Sequence, residues 1–574
     1  MGWKLYFFIL AFCVMIPSLA AKQGHVPLIA VSSFEDGTKT GTLGDLYLEI
    51  RPGQGRVFLD TFPLTKTGTQ ISMRFAQQIA CNYVEAHCEK YDFIYTIRAN
   101  SGLVTGPSAG AVATVLTIAT LQNKPLKEHV ALTGTINSGG YIGPVGNVKE
   151  KIDAAKAAGL NTVLIPKGDR YTEADNQTLD LVAYGKNLDL DIIEIADLDE
   201  AVWYFLGEKK PQQQEVILDP QYQEVMKRLS EKLCNRTKLL HEMMEKENAT
   251  ERSDKAKSEI TLLLKNAEQA RNEGKAYAAA SFCFRANIMA SSLLYELQTP
   301  TPEEIEEKVI VLQSSMKDIE EKIDGKEIKT VNDLQTYMIV KERLKEAKEY
   351  LEAREQHQND SIAITSLLAL AGERLYAAVS WSEFFSGTSS LLNMDKIHLE
   401  QSCKEKLAEA EERYNYMSEY FSSLDDAKTA MDTAFQNYQE GDFALCFFRA
   451  AKVKAEINVL INLIGVRDDQ VYALLEQKLR IAKKVIAEQE KEGNFPIVGY
   501  SYYEYATALA ENDLSSALLF AEYALELSNM DLYFPKKTTS FALDPEILWP
   551  FLLGLGLGIL LTTYLLKPKK EEPD

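Results

Sequence analysis

Three patterns that would assign a chemistry directly are missing from this sequence. No G-x-x-x-x-G-K-[ST] loop occurs in its 574 residues, so nothing in the sequence would cradle the phosphates of ATP. No two cysteines have the C-x-x-C spacing of a zinc ribbon or a thioredoxin-type site. Residues 241–245 (HEMME) lack the second histidine of a zinc-binding H-E-x-x-H helix. We therefore expect no ATP-driven motor and no metal or other cofactor.

Basic residues are in deficit. The chain has 62 lysines and arginines against 83 aspartates and glutamates, which gives a formal net charge of -21. A surplus of negative charge repels the phosphate backbone of nucleic acids, so we expect no nucleic-acid partner. The balance suits a solvated protein outside a membrane and assigns no function by itself.

The first residues of the chain are apolar. Residues 1–21 combine one early cation, Lys4, with an apolar run and with small residues at Ser18 and Ala20. This layout is typical of a secretory signal peptide. The alternative is an uncleaved anchor, although the apolar run is short for a complete membrane span.

A second apolar stretch lies near the last residue. Residues 547–566 form a run of 20 residues without a charge, which is long enough to cross a bilayer as a helix. Asp544 and Glu546 precede this run, and three lysines follow it. The positive-inside rule then predicts a single-pass protein of the cell membrane. Its tail, residues 567–574, would be cytoplasmic, and the bulk of the chain would be extracytoplasmic.

Cysteine usage fits an exported chain. Without Cys13, which falls in the predicted signal peptide, six cysteines remain, at positions 81, 88, 234, 283, 403 and 446. We expect disulfides Cys234–Cys283 and Cys403–Cys446, although connectivity cannot be deduced from sequence and free buried cysteines are the alternative. Cys81 and Cys88 fall on one predicted helix and would be too far apart to bridge if that helix is regular.

Local patterns divide the rest of the chain into two parts. Residues 22–207 mix short β-branched or aromatic runs with amphipathic stretches, which predicts an α+β domain. Strands are expected within residues 25–33, 45–53, 55–63, 92–99, 130–136, 161–167 and 190–195, and helices within 69–87, 108–122, 147–159 and 197–207.

From residue 215 to 532 the strand signals vanish and apolar residues recur at helical spacing. We expect roughly eight to ten helices. Glu273-Gly274 before Cys283 and Glu440-Gly441 before Cys446 mark a diverged internal repeat, and residues 511–513 begin a third copy without cysteine. Stacked helical hairpins explain such a repeat, because neighbouring units bury each other's apolar faces. Residues 533–546 are expected to tether this region to the membrane.

Ser108 is the first candidate for catalysis. It lies in the sequence Gly-Pro-Ser-Ala-Gly (106–110), between a predicted strand and an apolar helix. A serine there exposes its hydroxyl beside backbone N–H groups that suit an oxyanion, although a plain helix start also favours serine. The G-x-S-x-G pattern of α/β-hydrolases also fits, but it requires a later acid and a histidine. The domain offers only His129 after Ser108, with no aspartate between them, so a histidine triad is excluded.

Lysine is available instead. Downstream of Ser108 the sequence has Thr133-Gly134, a glycine-punctuated segment, Lys149-Glu150-Lys151 and Thr162-Val163-Leu164-Ile165-Pro166. In this order and spacing, residues 26–207 closely resemble the proteolytic domain of Lon-type serine proteases. The resemblance implies that Ser108 is the nucleophile and Lys151 its base.

The same resemblance implies further roles. Thr133 would orient the lysine amine, and the backbone around Gly106, Ala109 and Gly110 would stabilise the oxyanion. Lon-type domains tend to form rings, so a homo-oligomer is expected. Two positions depart from the bacterial pattern, in which PKD precedes the serine motif and Glu follows Thr-Gly. The chain has Leu-Val-Thr at 103–105 and Thr135 there, so substrate positioning would differ.

The chemistry makes a structural demand on the lysine. A serine is a poor nucleophile at neutral pH unless a base removes its proton. A lysine amine serves as that base only if burial lowers its pKa towards neutrality. We therefore expect Lys151 to point inward and Lys149 to point elsewhere and remain solvated.

The whole sequence thus predicts an α+β proteolytic domain of Lon type, an all-α helical-repeat region and one C-terminal transmembrane helix. The expected function is ATP-independent serine endopeptidase activity on unfolded or flexible polypeptides outside the membrane, in a motor-less Lon-like protease of archaeal type. Two alternatives remain open: a non-catalytic membrane-anchored scaffold that binds partners through its helical repeats, and a protein that cleaves only itself.

Overall fold

The computed structural model describes most of the chain. The described residues are 21–33, 39–62, 65, 67–99, 106–174, 177–208, 215–246, 251–357, 360–385, 394–418, 421, 423–464, 466–534 and 545–565. The predicted signal peptide (except Ala21), most of the tether and the cytoplasmic tail lie outside these ranges, as do residues 103–105.

The N-terminal part mixes strands and helices, as predicted. Its main sheet has the strand order β1-β2-β4-β3, in which β3 is parallel to β4 and the other pairs are antiparallel. The four strands are β1 (Lys22–Ser33), β2 (Lys39–Pro52), β3 (Val57–Phe62) and β4 (Tyr91–Ala99). In β2, Leu46, Leu48 and Ile50 are buried, whereas Tyr47 between them is exposed, so one face of the sheet covers the core.

Two helices cover that face. Helix α1 (Thr67–Tyr83) and helix α2 (Gly110–Gln122) pack on each other, and every residue of α2 from Gly110 to Leu121 is buried. Its buried threonines donate their hydroxyl groups to carbonyls one turn earlier, for example Thr114 Oγ1 to the Gly110 carbonyl at 2.8 Å. These bonds satisfy the hydroxyls, so a helix that is buried on all sides carries no unpaired threonine.

A second, parallel sheet has the order β11-β8-β5, and a short hairpin, β6-β7, lies beside it. The remaining elements of this part are β5 (Val130–Leu132), β6 (Thr135–Ile136), β7 (Ile142–Gly143), α3 (Val148–Ala157), β8 (Thr162–Pro166), β9 (Tyr171–Ala174), β10 (Gln177–Asp180), α4 (Leu181–Asn187), β11 (Asp191–Ile195) and α5 (Leu198–Leu206). The single strand predicted for 130–136 is wrong, because the chain leaves the parallel sheet at Thr133-Gly134 and starts a separate hairpin. Strands β9 and β10 and helix α4 were not predicted.

The region after residue 215 is helical throughout its described part. Its described residues form twelve α-helices before Phe534, against the eight to ten expected, because helices also end at Met244, Met417, Leu463 and Leu509. They are α6 (Pro220–Met244), α7 (Glu251–Asn272), α8 (Ala276–Gln298), α9 (Pro302–Asp324), α10 (Val331–Ala353), α11 (Ser361–Trp381), α12 (Lys396–Met417), α13 (Asp425–Glu440), α14 (Phe443–Leu463), α15 (Val471–Lys491), α16 (Ile497–Leu509) and α17 (Leu514–Ser528).

Disulfides join both predicted pairs of the helical region, Cys234–Cys283 and Cys403–Cys446. Cys81 and Cys88 were expected not to bridge if their helix is regular, but the helix does not extend to Cys88, and they form a third disulfide with their Cα atoms 6.1 Å apart. Helix α1 ends at Tyr83, earlier than predicted, and Glu85 adopts a φ of 52°, so the chain reverses and returns Cys88 to Cys81.

The chain up to Phe534 is one compact unit, which contains both the α+β part and the helical part. A second unit begins at Pro535, and its described helix is α18 (Pro545–Leu565), where the transmembrane helix was predicted. By length and hydropathy, Ser361–Phe384 is the one stretch of the described residues that could span a membrane. Its buried Glu373 is paired with Arg236 inside the compact unit, which identifies it as a packed core helix.

Candidate active site

Ser108 lies in the turn that leads into helix α2. Gly106, with a φ of 93°, turns the chain, and the Gly110 N–H donates to the Pro107 carbonyl at 3.0 Å. The Ser108 carbonyl accepts a hydrogen bond from the Gly134 N–H at 3.0 Å, and the Ala111 N–H donates to the Gly134 carbonyl at 3.1 Å. These two bonds fix the start of α2 against Gly134 and leave Ser108 half-buried.

Lys151 lies one turn into helix α3. Its side chain points inward and is 4% exposed, and its Nζ donates to Thr133 Oγ1 at 3.1 Å. The Thr133 N–H in turn donates to the Leu164 carbonyl of β8 at 3.1 Å, which anchors the threonine at the end of the parallel sheet. Thr133 therefore holds the amine in one place.

Thr133 and Gly134 bring the predicted pair to the same spot. The threonine contacts the Lys151 amine, and the next residue pairs with the backbone of Ser108. Among the described residues, the amine bonds to Thr133 and not to Ser108 Oγ. Catalytic hydrogen bonds often tighten only when substrate is bound, so this geometry is compatible with the predicted pair.

Lys149 points away from this site, as expected. Its Nζ lies 3.0 Å from Asp153 Oδ2 and 5.2 Å from the centre of the Tyr184 ring, and its side chain is 34% exposed. Lys149 and Lys151 are two residues apart on α3, so their side chains project from different faces of the helix. Lys149 forms an ordinary surface ion pair, whereas the amine of Lys151 is buried.

Burial lowers the pKa of Lys151 to about 8, and the negative charges of Asp169 and Glu150 oppose this effect in part. An amine with that pKa is neutral in a substantial fraction of molecules near neutral pH. It can therefore accept a proton, which an ordinary lysine cannot do at this pH.

Asp169 was missed by the sequence reasoning. It is buried, and its Oδ2 accepts a hydrogen bond from the Val145 N–H at 3.0 Å. Burial raises its pKa to about 7, against the lowering effects of that N–H and of Lys151. One signal was available: Asp169 follows β8, a parallel strand, and the carboxyl ends of neighbouring parallel strands meet at one edge of the sheet. Thr133 follows the neighbouring strand β5 at that edge.

The predicted oxyanion donors differ in availability. The Gly110 N–H is engaged by Pro107, whereas the N–H groups of Ser108 and Ala109 bond to no acceptor among the described residues. Gly106 has open space around its Cα but a φ that favours glycine, so its role here is to shape the turn. Within the described part of the chain, the N–H groups of Ser108 and Ala109 are thus the donors at the start of α2 that an oxyanion could use.

The helical part reaches this site through α12. Arg413, which is buried, donates to Asn137 Oδ1 at 2.8 Å and to the Ile136 carbonyl at 3.3 Å. The Gly146 N–H donates to the Tyr416 hydroxyl at 3.0 Å. These contacts hold both ends of the segment 137–146, whose glycines the sequence reasoning treated only as a family pattern.

The middle of that segment is buried against α14, α15 and α17. Ser138 Oγ donates to Glu526 Oε2 at 3.1 Å, and the Tyr141 hydroxyl donates to Asn462 Oδ1 at 3.2 Å. A Cβ added at Gly139 would lie 2.6 Å from Val485. The glycines thus let the segment approach the helices closely, so the helical part is built into the frame of the site.

No group of three or more histidine, cysteine or acidic side chains that could hold a metal ion occurs among the described residues.

Comparison with known proteins connects this geometry to a family. Residues 63–206 match the family model of the Lon protease (S16) C-terminal proteolytic domain. The chain is 32% identical over 155 residues to the Lon protease of Mycoplasma mobile, covering 24% of this chain and 18% of that protein. It is 34% identical over 149 residues to the Lon protease of Methanosphaera stadtmanae, covering 26% and 17%.

The chain spans about a fifth of the length of the curated relatives that it matches. The matched residues contain Ser108, Thr133 and Lys151, and they end at 206, before the helical part begins. The match supports a serine peptidase in the α+β part.

Proposed function

We propose that this protein is an ATP-independent serine endopeptidase in which Ser108 and Lys151 form the catalytic dyad. The observation that carries the proposal is the buried Lys151 amine, held 3.1 Å from Thr133 Oγ1 beside the segment that pairs with Ser108. A binding protein has no need for a buried lysine without a carboxylate in contact, close to a glycine-flanked serine turn.

The reaction follows from these positions. The neutral amine of Lys151 takes the proton of the Ser108 hydroxyl, and Ser108 Oγ forms a bond to the carbonyl carbon of the substrate. The peptide C–N bond then breaks, and the lysine ammonium returns the proton to the leaving amine. Water, deprotonated in the same way, hydrolyses the acyl-enzyme and restores both side chains.

The transition state needs donors for the negative oxygen. The N–H groups of Ser108 and Ala109, which have no acceptor among the described residues, lie at the start of α2, where the partial positive charge of the helix also favours an anion. They are fixed by the bonds of the turn to Pro107 and Gly134, so no reorganisation is needed when the charge develops.

Independence from ATP rests on the absent nucleotide-binding loop, and it restricts the substrates. A peptidase without a motor cannot unfold a stable domain, so we propose that it acts on unfolded or flexible polypeptides. We also propose a homo-oligomer, by analogy with the ring-forming tendency of Lon-type domains.

We propose an extracytoplasmic location for the compact unit, with α18 in the membrane and the tail in the cytoplasm, as in motor-less Lon-like proteases of archaeal type. Three disulfides within that unit support the location, because they persist in oxidising compartments. Protease digestion of intact cells, with antibodies against each end of the chain, would test the orientation.

The experiment that tests the activity is hydrolysis of casein without ATP by the full-length chain in detergent. Ser108→Ala and Lys151→Ala are expected to abolish cleavage, whereas Lys149→Ala, the matched surface lysine, is expected to retain it. Cleavage that survives in both dyad variants would refute the assignment. A wild type that makes one internal cut and leaves casein intact would instead favour a self-processing protein.

A further inference from the structure

The helical part contains a cavity of about 390 Å³ that the proposed reaction does not use. Residues of α6, α8, α10, α11, α14, α16 and α17 line it, and all of them lie between Leu229 and Tyr523, so the α+β part contributes none. The volume falls within the range of small-ligand pockets.

Cations dominate the charged groups of the lining. Arg285, Arg343, Arg374 and Lys452 face this cavity, and Glu346 is the one carboxylate among the lining residues. This local surplus of positive charge contrasts with the net charge of the whole chain, which is -21. A cavity lined by four cations and one carboxylate attracts anions.

Two nearby carboxylates offset only part of this surplus. Glu346 Oε2 lies 2.9 Å from Arg343 and 3.1 Å from Arg374 Nε, and Glu342 lies 2.7 Å from Lys452 and 3.4 Å from Arg343. Despite its short distance to Glu346, the buried Arg374 Nε forms no hydrogen bond with a described acceptor. Burial raises the pKa of Glu346, but the cations of Arg343, Arg374 and Lys452 outweigh burial and hold it at about 2.

Aromatic rings form the remaining walls. The ring centres of Tyr277 and Trp381 lie 6.0 Å apart, and those of Tyr502 and Phe520 lie 5.5 Å apart. Tyr523 completes this wall on α17. Such walls provide apolar surface on which an apolar or aromatic group can pack.

We propose that this cavity binds a carboxylate carried on an apolar or aromatic group. The arginines supply donors that match a carboxylate, and the rings hold the group attached to it. Two kinds of molecule present this chemistry: a polypeptide whose last residue is apolar, and a small free organic acid. The site does not depend on Ser108, because no residue of the catalytic part lines it.

Binding tests the proposal in the full-length Ser108→Ala chain in detergent, which keeps peptide probes intact. The probe is a fluorescein-labelled tetrapeptide that ends in phenylalanine, used with a free or an amidated C-terminus and followed by fluorescence anisotropy. We expect the free acid to bind at least about tenfold more tightly than the amide.

Variants assign that binding to the cavity. Arg374→Gln and Arg285→Gln are expected to weaken binding of the free acid at least about tenfold, whereas Arg228→Gln, an arginine on α6 outside the cavity, leaves it unchanged. Arg285 is exposed, so its variant decides the matter if thermal melting shows that Arg374→Gln does not fold. Binding that both variants leave intact belongs to another site and overturns the proposal.

A third arm identifies the source of the carboxylate. If 3-phenylpropanoate displaces the peptide at the concentration at which the peptide itself competes, the ligand is a small organic acid. If the peptide competes far more strongly, the ligand is a polypeptide end. Equal affinity for the acid and amide peptides, or no binding by either probe, would overturn the proposal.

Discussion

Both parts of the molecule bury lysine side chains, in different electrostatic surroundings. In the α+β part, Lys151 has no carboxylate among the described residues within ion-pair distance, and burial lowers its pKa to about 8. In the helical part, Lys454 lies 2.8 Å from Glu409 and 3.0 Å from Glu526. Burial lowers its pKa, but the two carboxylates outweigh burial and raise the pKa above the ordinary value.

Lys478 lies between these cases. It is fully buried and paired with one carboxylate, Glu522, and burial still keeps its pKa below the ordinary value. The three lysines form a series of none, one and two contacting carboxylates. The comparison shows that burial alone does not make a base, because the number of carboxylates decides whether the amine can lose its proton.

The largest expected effect separates function from stability. Lys151→Met should lower kcat/KM by roughly 10²- to 10⁴-fold, because the base is lost. It should also raise the melting temperature at pH 7. The folded pKa of Lys151 lies below its unfolded value, so its destabilising effect is fully present below pH 8 and disappears as pH rises towards about 10.4. A melting temperature that falls would contradict this account of the buried amine.

The matching change in the helical part should do the reverse. Lys454→Met leaves Glu409 and Glu526 with Lys406 as their remaining buried cation, which should cost about 3 kcal/mol of stability. Urea unfolding measures this cost, with the exposed Lys404→Met as the control. A loss of stability no greater than that of the control would show that the pairs contribute little and would break the comparison.

The pH dependence of kcat/KM tests how a nearby carboxylate changes the pKa of Lys151. The rate should rise with pH through about 8, as Lys151 loses its proton. Asp169 favours the charged amine, so Asp169→Asn should lower the pKa of Lys151 further and move the acid limb of kcat/KM down by about one pH unit. Asp153→Asn, which removes the partner of Lys149, should leave the limb in place. If the acid limb of kcat/KM moves to higher pH in Asp169→Asn, the electrostatic role of Asp169 is refuted.

The smallest expected effect on stability comes from a substitution in the segment 137–146, where the α+β part meets the helical part. Gly139 and Gly159 both have a positive φ, at 75° and 72°, but only Gly139 is crowded by Val485. Gly139→Ala should therefore cost about 1 kcal/mol more stability than Gly159→Ala, which isolates the close packing from the backbone strain. If thermal melting shows the same loss of stability for Gly139→Ala and Gly159→Ala, the segment tolerates a wider gap to α15.

Patterns along the chain were enough to predict the two-part organisation and the residues that the site brings together. Ser108, Thr133 and Lys151 stand out because each lies in a short motif whose spacing can be read without the fold. The disulfides Cys234–Cys283 and Cys403–Cys446 were expected from the similar surroundings of Cys283 and Cys446 and are confirmed, although connectivity cannot be deduced from sequence.

Other features depended on how the chain turns. The Cys81–Cys88 disulfide forms because helix α1 ends at Tyr83, and helix ends are poorly marked in sequence. Strands β5 and β6 were merged in the prediction because the turn at Thr133-Gly134 carries the same β-like composition as the strands. Asp169 was overlooked because its importance lies in its burial beside Lys151, which no local pattern shows.

The sequence by itself determined which side chains could react, because a nucleophile, a base and an apolar helix are properties of local residue order. Only the tertiary structure decided that the pKa of Lys151 is lowered and that the helical part belongs to the frame of the site. The lowered pKa of Lys151 requires exclusion of water and of contacting carboxylates on all sides. The contacts of Arg413, Tyr416 and Glu526 with the segment 137–146 join residues more than 250 positions apart, and proximity of that kind is a property of packing alone.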